Sequence, residues 1–150
     1  MSQIAQYLSP ERILISSATT RDGVLEELVK TLDGVSAVAD LEQLRRAVFE
    51  REAQCSTGIG LGIAVPHVRL VTIREMVMAT ALTLAPVDFQ SLDRQGVRLV
   101  FLVASPISAQ RDYLRILTRI ALIARDEPRR QQFFAATRAD QLWQLIQSCE

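Results

Sequence analysis

Leu99-Val100-Phe101-Leu102-Val103-Ala104 is an unbroken apolar run that stops at Ser105-Pro106. A strand with one wet face alternates polar and apolar residues, whereas a run without polar breaks needs cover on both faces. The segment therefore predicts a central strand with helices packed above and below it. The flanking sequence supplies the helices. Thr19 with Asp22 has the form of a capping box, Val24, Leu25, Leu28, Val29 and Leu32 follow at helical spacing, and Gly34 is the expected stop. Asp40 with Gln43 opens a second helix, with Leu41, Leu44 and Val48 turned inward. A later helix carries Leu114, Leu117, Ile120, Ala121 and Ala124 at helical spacing. Pro128 suits the first turn of a short helix carrying Phe133 and Phe134. Thr137 with Asp140 caps a last helix that buries Leu142, Leu145 and Ile146. Further strands are expected at Ile13-Leu14-Ile15, at Ile63-Ala64-Val65 and over Met76 to Leu84. The fold class is α/β, a single domain over residues 1–150 whose sheet is covered by helices.

Charge narrows the function classes. Seventeen basic residues balance 17 acidic ones, so no global field draws a polyanion and nucleic acid is not an expected partner. Lys30 is the only lysine among the cations; arginine forks suit phosphate and carboxylate, although codon bias is the simpler source of the overall excess. Cys55 and Cys149 make neither a disulfide framework nor a metal-like spacing, so a reducing cytoplasm is expected and no metal site. Met1 to Gln6 has no basic region or long apolar run, and no uncharged stretch is long enough to cross a bilayer. A cytoplasmic location without direct membrane insertion is the expectation.

His67 is the only histidine. A lone histidine is more often structural than functional, but its setting changes the balance. Ser56-Thr57-Gly58-Ile59-Gly60-Leu61-Gly62 carries glycines at alternate positions and two hydroxyls, and leads through Ile63-Ala64-Val65 to Pro66-His67. Such a segment can converge backbone N–H groups on an anion, with Ser56, Thr57 and Gly58 the candidates; a tight bend between helix and strand explains the glycines equally well. A P-loop is excluded because no Gly-Lys-Ser/Thr is present, and a dinucleotide fingerprint because the glycines follow a helix and lead to a proline. A nucleophile elbow of the form Gly-x-Ser-x-Gly is absent, which removes the common hydrolase reading. Neutral imidazole can take a phosphoryl group covalently, and such transfer needs positioning and charge stabilisation above all. Pro66 restricts the backbone beside the ring. Arg51, just before the glycine segment, can clamp phosphate oxygens, and Arg69 shares the side of a strand with His67. Each arginine has a plainer reading as an exposed solubilising charge.

Arg51-Glu52, Ser56-Thr57-Gly58-Ile59-Gly60 and Gly62-Ile63-Ala64-Val65-Pro66-His67 together resemble the active-site signature of type-2 IIA domains. These are the fructose/mannitol-type components of the bacterial phosphotransferase system and the related nitrogen-regulatory IIA protein. The resemblance extends over Val87-Asp88-Phe89, Leu92-Asp93, the run ending at Ser105-Pro106 and the Leu114/Leu117 helix, and is nearest to the nitrogen-regulatory branch. It implies a mixed β-sheet with helices on both faces. It also implies a phosphotransferase component that accepts phosphate on His67, usually through Nε2, from a histidine phosphocarrier protein (HPr/NPr-like). The phosphate then passes to a cysteine on a IIB domain, or its presence controls regulatory target proteins. No cofactor, metal or nucleotide is implied. Relatives commonly carry a second histidine in a His-Leu pair at the start of the late helix; here the pair is Tyr113-Leu114. A phenol can donate a hydrogen bond but carries no positive charge, so either transfer is weakened or lost, leaving a regulatory binding module, or Arg111 or Arg115 replaces that charge. Cys55 and Val68 stand where nitrogen-regulatory relatives often have glycine. The sugar or target is not encoded in a IIA domain.

Overall fold

The computed structural model describes residues 3–149. The elements run β1 (Ile13–Ser16), α1 (Arg21–Lys30), α2 (Leu41–Gln54), β2 (Gly58–Gly60), β3 (Ile63–Ala64), β4 (His67–Arg69), β5 (Val77–Val87), β6 (Val97–Ser105), α3 (Gln110–Arg125), α4 (Glu127–Ala135) and α5 (Ala139–Ser148), with short 3-10 turns at Ala5–Tyr7, Pro10–Arg12 and Ile107–Ala109. The strands form one six-stranded sheet in the order β1-β5-β6-β3-β2, with β4 also paired to β6. It is mixed: β1 runs parallel to β5, β5 antiparallel to β6, and β3 and β4 parallel to β6.

The apolar run lies in β6, and its residues part to opposite faces. Leu99, Phe101 and Val103 join one core cluster with Ile116, Ile120, Phe133, Leu142 and Ile146 from α3, α4 and α5. Val100, Leu102 and Ala104 join a second with Val24, Leu25, Leu28, Leu44 and Val48 from α1 and α2. All six of these β6 side chains are fully buried. Each large one contributes roughly 1.5–3 kcal/mol of burial free energy, which is what holds helices to both faces.

Three local expectations shift. The cap of α1 is Thr20, not Thr19: its Oγ1 accepts from Gly23 N at 3.1 Å, and α1 ends at Lys30, with Gly34 closing the following turn at φ 77°. At α5 the helix begins one residue later than a Thr137 cap would place it. Gln141 Oε1 accepts from Thr137 N at 2.9 Å and Arg138 N at 3.2 Å, while Asp140 pairs with Arg138 instead. On α3 the inward face is Tyr113, Ile116, Ile120, Ile123 and Ala124, so Leu114 is exposed and Leu117 and Ala121 only half-buried. The apolar arc of this helix, from Ile123 round to Leu114, is wider than the face that packs on the sheet, and periodicity alone does not show which edge of it turns inward. The strand β2 was not foreseen, because glycines weaken strand propensity. By contrast Asp40 caps α2 as expected, accepting from Gln43 N at 3.0 Å.

The feature that positions the site is a broken strand. β3 and β4 run in line along the same edge of β6, and Pro66 stands between them. Proline has no N–H for the ladder, so the strand bends there, yet Pro66 O still accepts from Val103 N at 2.9 Å. The chain therefore stays anchored on both sides of the break, and His67 begins β4 opposite Val103.

Candidate functional site

The glycine segment folds as a hairpin. β2 and β3 are antiparallel, joined at Leu61-Gly62, with Gly60 at φ 89°, Leu61 at φ 61° and Gly62 at φ 81°. Asp93 Oδ2 accepts from Leu61 N at 2.9 Å and holds the turn. Gly60 and Gly62 thus serve a left-handed turn. Gly58 serves a close approach: a Cβ there would sit 2.0 Å from Ser91 Oγ. Ser56 Oγ donates to Phe89 O at 2.5 Å and accepts from Gly58 N at 3.0 Å. Thr57 N donates to Glu52 Oε2 at 2.8 Å. The Thr57 and Gly58 amides are therefore occupied within the loop, and Ser56, Thr57 and Gly58 are not among the residues lining the cleft at His67.

His67 Nδ1 lies 2.5 Å from Val65 O. A carbonyl can only accept, so Nδ1 carries the proton and Nε2 keeps its lone pair. Nε2 has no hydrogen-bond partner among the described residues. The half-buried ring separates two hollows. One is an open cleft of about 410 Å³ lined by Ala47, Arg51, Val68, Arg69, Ile107 and Tyr113 as well as His67. The other, of about 340 Å³, is lined by Ile59, Leu61, Val65, Leu117, Ala121 and Arg125 among others. Arg51, Arg69 and Tyr113 are thus brought together beside the imidazole, as their place in the sequence suggested.

Each comes from a different element. Arg51 reaches in from the last turn of α2, where its Nη1 also donates to Cys55 O at 2.9 Å. Arg69 stands two residues after His67 on β4, and its guanidinium lies over the Tyr113 ring, 5.4 Å from the centroid. Tyr113 projects from the first turn of α3, its ring centroid 5.8 Å from that of His67 at an interplanar angle of 55°. Arg111 and Arg115 are exposed and line neither hollow, and the arginine stacked on the Tyr113 ring is Arg69. None of Arg51, Arg69 and Arg125 makes an ion pair among the described residues.

Burial pushes the His67 pKa below its ordinary value; the Val65 bond and Glu52 oppose this, and Arg51 adds to it. The ring is accordingly neutral at pH 7, the state a nucleophile requires. Burial raises the Tyr113 hydroxyl above its ordinary value against the pull of Arg69 and Arg51, so it remains a neutral donor. Among the described residues no group of His, Cys, Asp and Glu is placed to hold a metal, and no helix is long and apolar enough to cross a membrane. Cys55 is exposed and Cys149 buried, and they are not paired with each other.

Glu52 is the site residue that sequence reasoning passed over. It is buried beside the loop and bonded twice to Thr57. Its signal in the sequence was its place in the Arg51-Glu52 pair of the motif, to which residue type alone assigns no role.

Comparison with known proteins matches nearly the whole chain. The family model described as "Phosphoenolpyruvate-dependent sugar phosphotransferase system, EIIA 2" matches residues 6–149. A nitrogen regulatory protein of Bradyrhizobium diazoefficiens is 33% identical over 149 residues, covering 95% of this chain and 94% of that protein. The PTS system fructose-specific EIIABC component of Bacillus subtilis is 30% identical over 145 residues; the match covers 96% of this chain but only 23% of that longer protein. Among solved structures, the nitrogen regulatory protein IIA-Ntr of Neisseria meningitidis superposes with a TM-score of 0.88 at 24% identity, covering 97% of this chain and 99% of that one, a likeness of fold. A sheet broken at Pro66, an imidazole presented at the break, and a match along almost the whole length agree: the chain belongs to the type-2 EIIA family of the phosphoenolpyruvate-dependent sugar phosphotransferase system, whose members carry phosphate or regulate.

Proposed function

We propose that this protein accepts a phosphoryl group on Nε2 of His67. The observation that carries the reading is the Nδ1–Val65 bond, which leaves Nε2 as the unprotonated nitrogen of a neutral ring that shares a cleft with two arginines free of ion pairs among the described residues. The donor is a phosphohistidine on a histidine phosphocarrier protein. The Nε2 lone pair attacks phosphorus, the donor's N–P bond breaks, and the donor imidazole regains its lone pair. Arg51 and Arg69 offset the charge on the phosphoryl oxygens, and Tyr113 offers a neutral donor where relatives carry a second histidine. In the onward step a cysteine thiolate on a IIB domain forms the S–P bond as the N–P bond breaks. A solved complex of mannitol IIA with phosphorylated IIB from Escherichia coli shares this fold, with a TM-score of 0.73 at 19% identity, and supports that class of acceptor.

The test supplies phosphoenolpyruvate, enzyme I and the phosphocarrier protein. Wild type gains an acid-labile, base-stable phosphate and His67→Ala gains none; equal labelling of both ends the reading. Tyr113 in place of a histidine favours a second use, in which the phosphate is a signal rather than cargo. It adds about two negative charges to the surface, enough to switch an interface. A pull-down with wild type, His67→Ala and His67→Asp distinguishes this reading, since partners that bind all three alike rule the switch out.

A further inference from the structure

The Glu52 side chain is only 3% exposed, and no cation pairs with it among the described residues. A buried carboxylate without a counter-ion is costly unless its oxygens are well bonded. Here they are: Oε2 accepts from Thr57 N at 2.8 Å and Oε1 from Thr57 Oγ1 at 2.5 Å. Thr57 is itself buried, and its carbonyl accepts from Val65 N at 2.9 Å. The Val65 carbonyl then accepts from His67 Nδ1 at 2.5 Å. A continuous hydrogen-bonded chain therefore runs from the carboxylate through Thr57 and Val65 to the imidazole. At Thr57 and at Val65 the donating N–H and the accepting C=O belong to different peptide groups, so the chain relays position from link to link rather than polarisation.

We infer that Glu52 is a positioning residue: it pins Thr57, Thr57 aims Val65, and the Val65 carbonyl fixes the His67 ring with Nδ1 protonated and Nε2 free. Its charge has the wrong sign for a phosphate ligand, because it favours the protonated ring and repels a phosphoryl anion. A group that opposes the product electrostatically is kept for its geometry. The inference rests on the phosphoryl-acceptor reading only for its effect on rate; its effect on the ring stands alone.

The experiment therefore reads the ring directly. Long-range ¹H–¹⁵N correlation on the sole histidine reports tautomer and proton affinity in wild type, Glu52→Gln, Glu52→Ala and Thr57→Val. Wild type shows the Nδ1–H form. Glu52→Gln preserves an acceptor for Thr57 N and a donor for Thr57 Oγ1, so the tautomer stays while the titration midpoint falls. Glu52→Ala releases the chain, populates the Nε2–H form, and slows phosphoryl acceptance about tenfold or more. Thr57→Val removes the hydroxyl bond and retains the amide bond, giving an intermediate tautomer shift even if Glu52→Ala fails to fold. A folded Glu52→Ala with the wild-type tautomer, or Thr57→Val and Glu52→Gln both indistinguishable from wild type, overturns the inference. A wild type that shows the Nδ1–H form yet takes no phosphate sinks the proposed function and leaves the positioning role standing.

Discussion

The two hollows flanking His67 differ in kind although one ring forms a wall of both. On one side Arg51, Arg69 and Tyr113 give a polar cleft. On the other, Ile59, Leu61, Val65, Leu117 and Ala121 give an apolar bowl with Arg125 its only charged wall. Ile59 is 48% exposed and Leu61 40% exposed, so part of this apolar wall faces solvent. On the proposed reading the difference would separate two tasks. Charge that appears on a phosphoryl group must be met by donors already in place, and the cleft would offer these. A partner that delivers the group must dock with enough apolar contact to orient it, and the bowl is the apolar surface beside the ring that would offer it. Cleft variants should therefore slow transfer within the complex, and bowl variants should weaken the complex.

The largest effect is expected at Arg51. Arg51→Gln should lower the single-turnover rate of phosphoryl acceptance about 100-fold at saturating donor, the usual scale for removing one stabilising donor. Arg51 also bonds the Cys55 carbonyl, so thermal unfolding of the variant is measured alongside to separate lost charge from a loosened helix end. A normal rate would move the phosphate to another side of the ring. Next comes Tyr113. Tyr113→Phe keeps the ring packed beside His67 and under Arg69 and removes the hydroxyl alone. A drop of about five-fold in rate is expected, equivalent to one hydrogen bond of about 1 kcal/mol. No change in rate or in phospho-form lifetime would show that Tyr113 only fills space. In the bowl, Ile59→Gln should raise the KM for the donor protein about five-fold and leave kcat alone, as for one moderate interface contact. Leu122→Gln is the control, since Leu122 is 53% exposed but lines neither hollow. If the control matches Ile59→Gln, the bowl is not the docking face.

The sequence carried some of this plainly and some not at all. The Leu99–Ala104 run could only be a two-faced strand, and it is. Asp40 and Gln43 marked their helix start, but with Thr19 and Thr20 adjacent, backbone geometry had to choose the cap. His67, Arg51, Arg69 and Tyr113 were legible because each stood at a nameable position in a motif, and the fold brings all of them to one cleft. Ser56, Thr57 and Gly58 were read as phosphate-binding from residue type. A sequence does not show where an amide hydrogen goes, and the Thr57 and Gly58 amides go to Glu52 and Ser56. Leu114 of α3 has the spacing of its buried neighbours and is nonetheless exposed, while Leu117 packs partly against the core: residues that suit a core also suit solvent-facing positions on the same helix, and hydrophobicity does not say which.

The smallest effect is the most discriminating, because burial and Arg51 lower the same midpoint. Burial is the larger cause of the lowered His67 pKa and Arg51 a lesser one. A histidine whose folded pKa lies below its unfolded value binds fewer protons in the native state within that interval, so stability rises with pH there and falls on acidification below the ordinary histidine value near 6.5. His67 is the only histidine, so no other imidazole obscures the window. Urea midpoints at neutral pH and just below the histidine range should show a loss on acidification in wild type that His67→Ala reduces. Arg51→Gln should raise the His67 midpoint while leaving it below the ordinary value, because burial persists. A midpoint restored fully by that one substitution would make Arg51 the dominant influence, and burial could then no longer be credited with keeping the nucleophile neutral.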